Sequence, residues 1–217
     1  MAWADILTAA KNRGLIRKSL DAVVTIAETS VAVPSTIVDA VTFTDLVIPT
    51  GFEHLVWHSA DGVQWAREVE NSDIESHGSV DPTRSDTRRV TNTVEVTAQE
   101  TNIRTLGELL GLKLDPVLTS RELVIDELTR PKSRYFRMLA LSVDDTDFGE
   151  IYTGRLYALA KIDSSAPGTW ADDDNAQTFQ FTIKAFQDPD EGVAVRHFCG
   201  GPGFLGLAED MGFTLPA

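Results

Sequence analysis

His54, His58, His77 and His197, the lone Cys199, and the aspartate runs Asp144/Asp145/Asp147 and Asp172/Asp173/Asp174 are the side chains here with which chemistry could be done. His54 and His58 stand four apart, a metal-binding spacing on a helix. Leu55, Val56 and Trp57 between them make a strand-like run instead, where residues four apart share a face but lie far from each other. Ordinary strand residues are therefore expected at both. His77 and His197 have no Cys or carboxylate partner pattern. A single cysteine excludes an intrachain disulfide and a Cys-based zinc site, and fits assembly in a reducing compartment. Cys199 ends the apolar run Val193–Cys199, so a buried structural thiol is expected. The aspartate runs offer the clustered oxygens that calcium needs, but neither has the EF-hand pattern with its closing Glu, and solvated turns are expected. Asp126 and Glu127 are adjacent on a candidate strand and face opposite ways, which does not make an acid/base pair. Gly201-Pro202-Gly203 supplies the only Gly-x-Gly, without a dinucleotide-binding unit or phosphate loop. The expectation is a protein that is not an enzyme and carries neither metal nor cofactor.

The elements that must position any site are mostly strands. One domain is the default for 217 residues, and no interior linker, repeat or low-complexity tract divides them. A formal net charge of −14 argues against gripping nucleic acid by neutralising phosphates. The N-terminus lacks the charged start and apolar core of a signal peptide, and no apolar run approaches membrane-spanning length. No membrane association is expected.

Residues 72–111 organise the chain. Ser72–Asp86 is polar and rich in Ser, Asp, Gly and Pro, so residues 71–89 read as a long loop. Val90, Val94 and Val96 alternate with Thr91, Thr93, Glu95 and Thr97, the period of a half-buried strand. Ile103, Leu106, Leu109 and Leu110 then recur at helical spacing. Thr97 and Glu100 have capping-box spacing, and Gly111 sits where a C-terminal cap belongs. This helix is expected to pack across a sheet or cover its open end.

Before that stretch, residues 3–20 show helical spacing interrupted by Gly14, with Lys11, Arg13, Arg17 and Lys18 suggesting an N-terminal arm (1–20) that docks on an acidic neighbour. Ala22–Ala27 and Ile37–Ile48 are strand candidates. Glu53–His58 and Val63–Glu70 flank Ser59-Ala60-Asp61-Gly62, a hairpin signal that could bring Trp57 to Trp65. After it, Glu122–Leu128 reads as a short strand. Arg134–Val143 is apolar on both faces and reads as buried on both sides. Ile151–Ile162 and Gln177–Lys184 follow, Ala185-Phe186 suggests a bulge, and Asp188–Gly192 a hairpin to Val193–Cys199. Residues 204–217 form a short apolar tail. The fold class expected is mainly β, a sandwich or barrel with one short helix packed against it.

Asp73…Ser76-x-Gly78-x-Val80-x-Pro82-Thr83-Arg84-x-Asp86, with Thr97-Ala98-Gln99-Glu100-Thr101 after the Thr/Val strand, resembles the major tail (tail tube) proteins of long-tailed actinobacterial phages. Ala60-Asp61-Gly62-Val63 and Phe186-x-Asp188…Gly192…Val195-Arg196…Gly200-Gly201-Pro202-Gly203 resemble the same family in the same order. His77 departs from the aromatic residue common there. The resemblance implies a tail-tube-type fold whose identical subunits form stacked hexameric rings, a conduit for genomic DNA that transits without specific binding. It also implies partners such as tape measure, tail terminator and distal tail proteins, and a virion tail assembled in the host cytoplasm. Ser76, Gly78, Val80, Pro82, Thr83, Arg84 and Asp86 would then contact the next subunit or ring. Net charge makes Glu95, Asp126, Glu127 and Glu150 candidates to line the lumen. Two other readings stand beside this one: a distal tail or secretion-tube-like ring protein, and a calcium- or carbohydrate-binding β-sandwich resting on the Asp runs and Trp170.

Overall fold

A computed structural model describes residues 11–216 except 56, 57, 60, 119, 131, 133, 169 and 171–175. The strands are β1 (Asp21–Glu28), β2 (Glu53–His54), β3 (Gln64–Ile74), β4 (Arg84–Ala98), β5 (Phe136–Thr146), β6 (Gly149–Pro167), β7 (Phe179–Phe186) and β8 (Val195–Gly200). The helices are α1 (Ile103–Leu110) and α2 (Pro202–Leu207). All strands join one antiparallel sheet in the order β2-β1-β5-β6-β7-β4-β3, with β8 also on β6. The fold is mainly β, as its strand-rich sequence implies.

β6 is the hinge of this sheet. Its first half, Tyr152–Tyr157, pairs β8, and its second, Leu159–Pro167, pairs β7 along the same edge. Its ladder with β7 shifts register between Ile162 and Ser164, and a bulge there increases bending and twist. The sheet curls so that Val24, Ile26, Met138 and Ala140 of β1 and β5 pack against Val94, Val96, Phe181 and Ile183 of β4 and β7. The chain after β2 stitches the gap: the Leu55 N–H donates to Val24 O at 2.8 Å, and the Ser59 N–H to Thr97 O at 2.9 Å. The result is a partly closed barrel.

β5 is buried on both faces, as its doubly apolar sequence implies: Phe136–Leu141 are all buried. Leu139 and Leu141 face away from the barrel interior into a second cluster with Ile37, Phe52 and Leu156. That cluster lies under residues 31–52, which form a covering loop instead of the expected strand and retain one isolated bridge, Val38 to Leu46. Ile37 and Phe52, with Val31, Val33 and Val38 partly buried beside them, do the covering, while Val41, Phe43, Leu46, Val47 and Ile48 stay exposed. Gly154 on β6 makes the close fit possible, since a Cβ there would meet Leu141, Ile37 and Phe198 side chains at 3.1–3.2 Å.

α1 plugs the barrel end. Leu109 packs on the interior cluster and its carbonyl accepts from Ser165 Oγ at 3.2 Å. The N-cap is Asn102, not the Thr97/Glu100 pair, because Thr97 is still in strand β4. Asn102 Oδ1 accepts from the Arg104 and Thr105 N–H groups, both at 2.9 Å, and Nδ2 donates to Leu55 O at 3.3 Å. Gly111 takes the left-handed C-terminal position at φ 65°, as its place in the sequence implies. Asn102→Ala should cost about 0.5–2 kcal/mol, the range for losing a side-chain N-cap. At ~2–4 °C per kcal/mol for a chain this size, calorimetry should show a melting point lower by about 1–8 °C.

Several other expectations are overturned. The runs 53–58 and 63–70 do not form a hairpin, since β2 pairs β1 while β3 pairs β4. Trp57 lies outside the described residues. Residues 122–128 form no strand. β8 returns to β6 instead of pairing β7, because the turn at 188–194 is pinned inward by Arg137. The bulge sits in β6, not at Ala185-Phe186. The C-terminal tail begins with α2, whose Gly203 lies against the Gly149 carbonyl, where a Cβ would come within 2.3 Å. Of residues 3–20, the described part holds a single 3-10 turn, Arg13–Leu15, and Arg17 lies 3.9 Å from this chain's own Asp144.

Candidate assembly surface

β4 has strand neighbours on both sides only at Thr93–Glu95. β7 pairs Thr93–Ala98, whereas Arg84–Asn92 touch β3 alone. At ~3.3 Å per residue, that leaves a two-stranded ribbon about 30 Å long standing off the barrel. Residues 71–89 are therefore largely strand, not a long loop: Asn71–Ile74 pair Thr87–Arg84, with a bulge after Glu70. Sequence alternation failed to show this because both faces are wet, so no apolar period marks them. Nearly every ribbon residue is exposed.

The seven loop residues singled out from sequence gather at the tip. Ser76 and Thr83 close it, their hydroxyls 2.8 Å apart, and the Thr83 N–H donates to Ile74 O at 2.8 Å. Gly78 turns the chain at φ 87°. Val80 is fully exposed, and Pro82 follows just before β4. Arg84 pairs with Asp86 at 2.6 Å on the first residues of β4. Further in, Arg88 meets Glu70 at 3.2 Å, and Val69 stands directly opposite Val90 with both exposed. A lone two-stranded ribbon is marginal in water. Its open edges, β3 on one side and residues 84–92 of β4 on the other, carry unpaired backbone groups ready to accept another strand.

The four lumen candidates sit on three separate parts of the chain. Glu95 is exposed on β4 opposite Gln64 and Thr182. Glu150 is exposed at the start of β6 and accepts from the Tyr152 hydroxyl. Asp126 and Glu127 lie in the irregular segment between α1 and β5.

The residues considered for chemistry are dispersed. His54 is at the edge strand β2, and His58 bridges Ala98. His197 lies beside Arg155 on the adjoining strand, and burial together with that positive neighbour lowers its pKa. Cys199 is exposed, not buried, on the outward-facing side of β8. Asp144 is buried and accepts from the Lys18 N–H at 3.2 Å, while the 172–174 run lies outside the described residues. Among the described residues no three His, Cys, Asp or Glu side chains converge as a metal site, and no helix is long and apolar enough to cross a membrane. A cleft of about 1230 Å³ opens between β1 and the 54–63 segment, and Arg155 stacks over Trp65 at 4.6 Å on its wall.

The buried pair missed from sequence is Arg137–Asp188. Arg137 donates to Asp188 Oδ2 at 2.7 Å and to the carbonyls of Val31 and Ala158, both at 2.6 Å. Asp188 Oδ1 accepts from the N–H groups of Asp190 and Glu191. One guanidinium thus ties together β5, β6, the covering loop and the turn into β8. A signal was present: a single Arg within a strand apolar on both faces must find a buried anion.

No family model matches this chain, and no curated protein does. Among solved structures it is similar to one described as "Tail of empty GTA particle computed with helical refinement, C6 symmetry", over 84% of this chain and 99% of that one, with 10% identity and a TM-score of 0.39.

Proposed function

We propose that this chain is the structural subunit of a phage-like tail tube, in which identical copies form stacked hexameric rings around a channel for DNA. The ribbon carries this reading. It is a projecting pair of strands with two open edges, an exposed Val69/Val90 pair and an apolar tip at Val80, and a single copy leaves all of these uncovered. Closing a ring of copies satisfies such edges. The seven tip residues coincide with the motif that resembles tail tube proteins.

In this reading the protein is structural and not catalytic, sits in the virion tail, and meets tape measure, terminator and distal tail proteins at the tube's interior and ends. The net charge of −14 suits a wall past which a polyanion must slide, since attraction would arrest it. Glu95 and Glu150, both exposed on strands, are the candidates to face it; Asp126 and Glu127 belong to a different, irregular segment.

Electron microscopy of the concentrated native protein tests the proposal. Long hollow polymers with acidic side chains on the inner wall are the expected result. Closed single rings would favour the distal-tail reading, and a monomer at every concentration would end both.

A further inference from the structure

We infer that residues 122–128 are a donated strand, which pairs with the open β4 edge (residues 84–92) of a second copy. This rests on the self-assembly proposed above and names one of its contacts.

The segment Glu122-Leu123-Val124-Ile125-Asp126-Glu127-Leu128 centres on Val124-Ile125, β-branched residues that favour strands, flanked by Leu123 and Leu128. In the single chain it has no ladder: among the described residues no backbone–backbone hydrogen bond joins it to any other part. Leu123, Val124 and Leu128 are all more than half exposed, an apolar run that a solvated loop has no reason to carry. Long irregular segments of this kind in a compact domain are usually functional.

The segment is also held out for use. Lys113 near its start lies 3.6 Å from Glu28, and Arg134 near its end lies 3.1 Å from the same carboxylate and 2.9 Å from Glu108. The part-buried Arg134 pairs fasten the end of the strap to β1 and α1, the exposed Lys113 pair adds little, and the middle of the strap is left free.

Charge selects the edge that receives it. Along the ribbon, β3 carries Arg67, Glu68, Glu70 and Asp73, which would repel Glu122, Asp126 and Glu127. β4 carries Arg84, Asp86, Arg88 and Arg89 over its unpaired stretch, a net positive edge long enough for seven residues. Adding a strand to an exposed edge draws affinity from main-chain hydrogen bonds and register from alternate side chains.

The test measures the concentration at which native and variant full-length chains polymerise, by sedimentation. Val124→Asp should keep the native melting temperature, since its side chain touches no core, yet raise that concentration at least about tenfold, a shift of ~1.4 kcal/mol. Asp126→Arg with Glu127→Arg should do likewise, and adding Arg88→Glu and Arg89→Glu to that chain should restore assembly. Cysteines at 124 and 90 in a Cys199→Ser chain should yield covalent oligomers on oxidation of the polymer. If the native chain polymerises and Val124→Asp polymerises equally well, the donated strand is refuted while self-assembly stands. If the native chain never polymerises, both fall.

Discussion

A chain in which residues 71–88 are replaced by Asn-Gly folds as the native protein does and no longer polymerises. The cut falls between Glu70 and Arg89, which are directly paired, and a two-residue Asn-Gly turn suits adjoining antiparallel strands. No residue removed is buried, so the barrel loses none of its interior. Its melting temperature should stay within a few degrees of native, because surface changes of this kind cost ~0.5 kcal/mol or less each. Assembly should vanish, because the tip and most of the free β4 edge have gone. Paired calorimetry and electron microscopy read both outcomes. A shortened chain that still builds tubes would show that the ribbon is ornament and that the proposed contact lies elsewhere.

Arg137→Ala has the opposite profile and attacks the fold itself. It strands the buried Asp188 carboxylate and two backbone carbonyls, and breaking a buried pair from one side costs about 3–5 kcal/mol. For a chain this size the melting point should drop by roughly 10 °C. Replacing the pair together, Arg137→Met with Asp188→Leu, should recover much of that loss, since no unpaired charge is then left inside. A native-like melting point for Arg137→Ala would show that the pair is dispensable.

The same pair has a pH signature. Burial pushes the Asp188 carboxyl up, but hydrogen bonds from Arg137, Asp190 and Glu191 outweigh it and hold the group below its ordinary value of 3.8. A pKa depressed by folding gives stability that is present above the ordinary value and lost as pH falls through the folded-state one. Glu108 works the other way. Burial raises it above 4.5 despite Arg134 and Arg104, so its effect is a loss of stability as pH climbs from 4.5 toward its folded-state value. The two therefore separate: below 3.8 the slope belongs to groups like Asp188, and Arg137→Ala should flatten it.

Elements whose faces differ in burial were legible in the sequence. β1, β5, β7 and the inner end of β4 were found because alternation, or continuous apolarity in β5, records which faces are covered. α1 was found from its period and its Gly111 stop, but its N-cap was misplaced because capping-box spacing is silent on where a strand ends. The tip residues were found as a motif. Their support was not, since a ribbon wet on both faces lacks the pattern that marks a strand.

Pairing was decided by tertiary structure alone. β8 leaves its sequence neighbour β7 for β6 because Arg137, far away in the chain, captures Asp188 in the intervening turn. Residues 37–48 look like a strand and form an irregular loop, whose first residues, Ile37 and Val38, are taken up covering the second apolar face of β5. Residues 122–128 have a strand-like apolar run and yet, among the described residues, make no ladder within the single chain. Local sequence sets what a segment prefers to bury and how it bends. Which partner it finds depends on the edges and charges that the folded remainder leaves open.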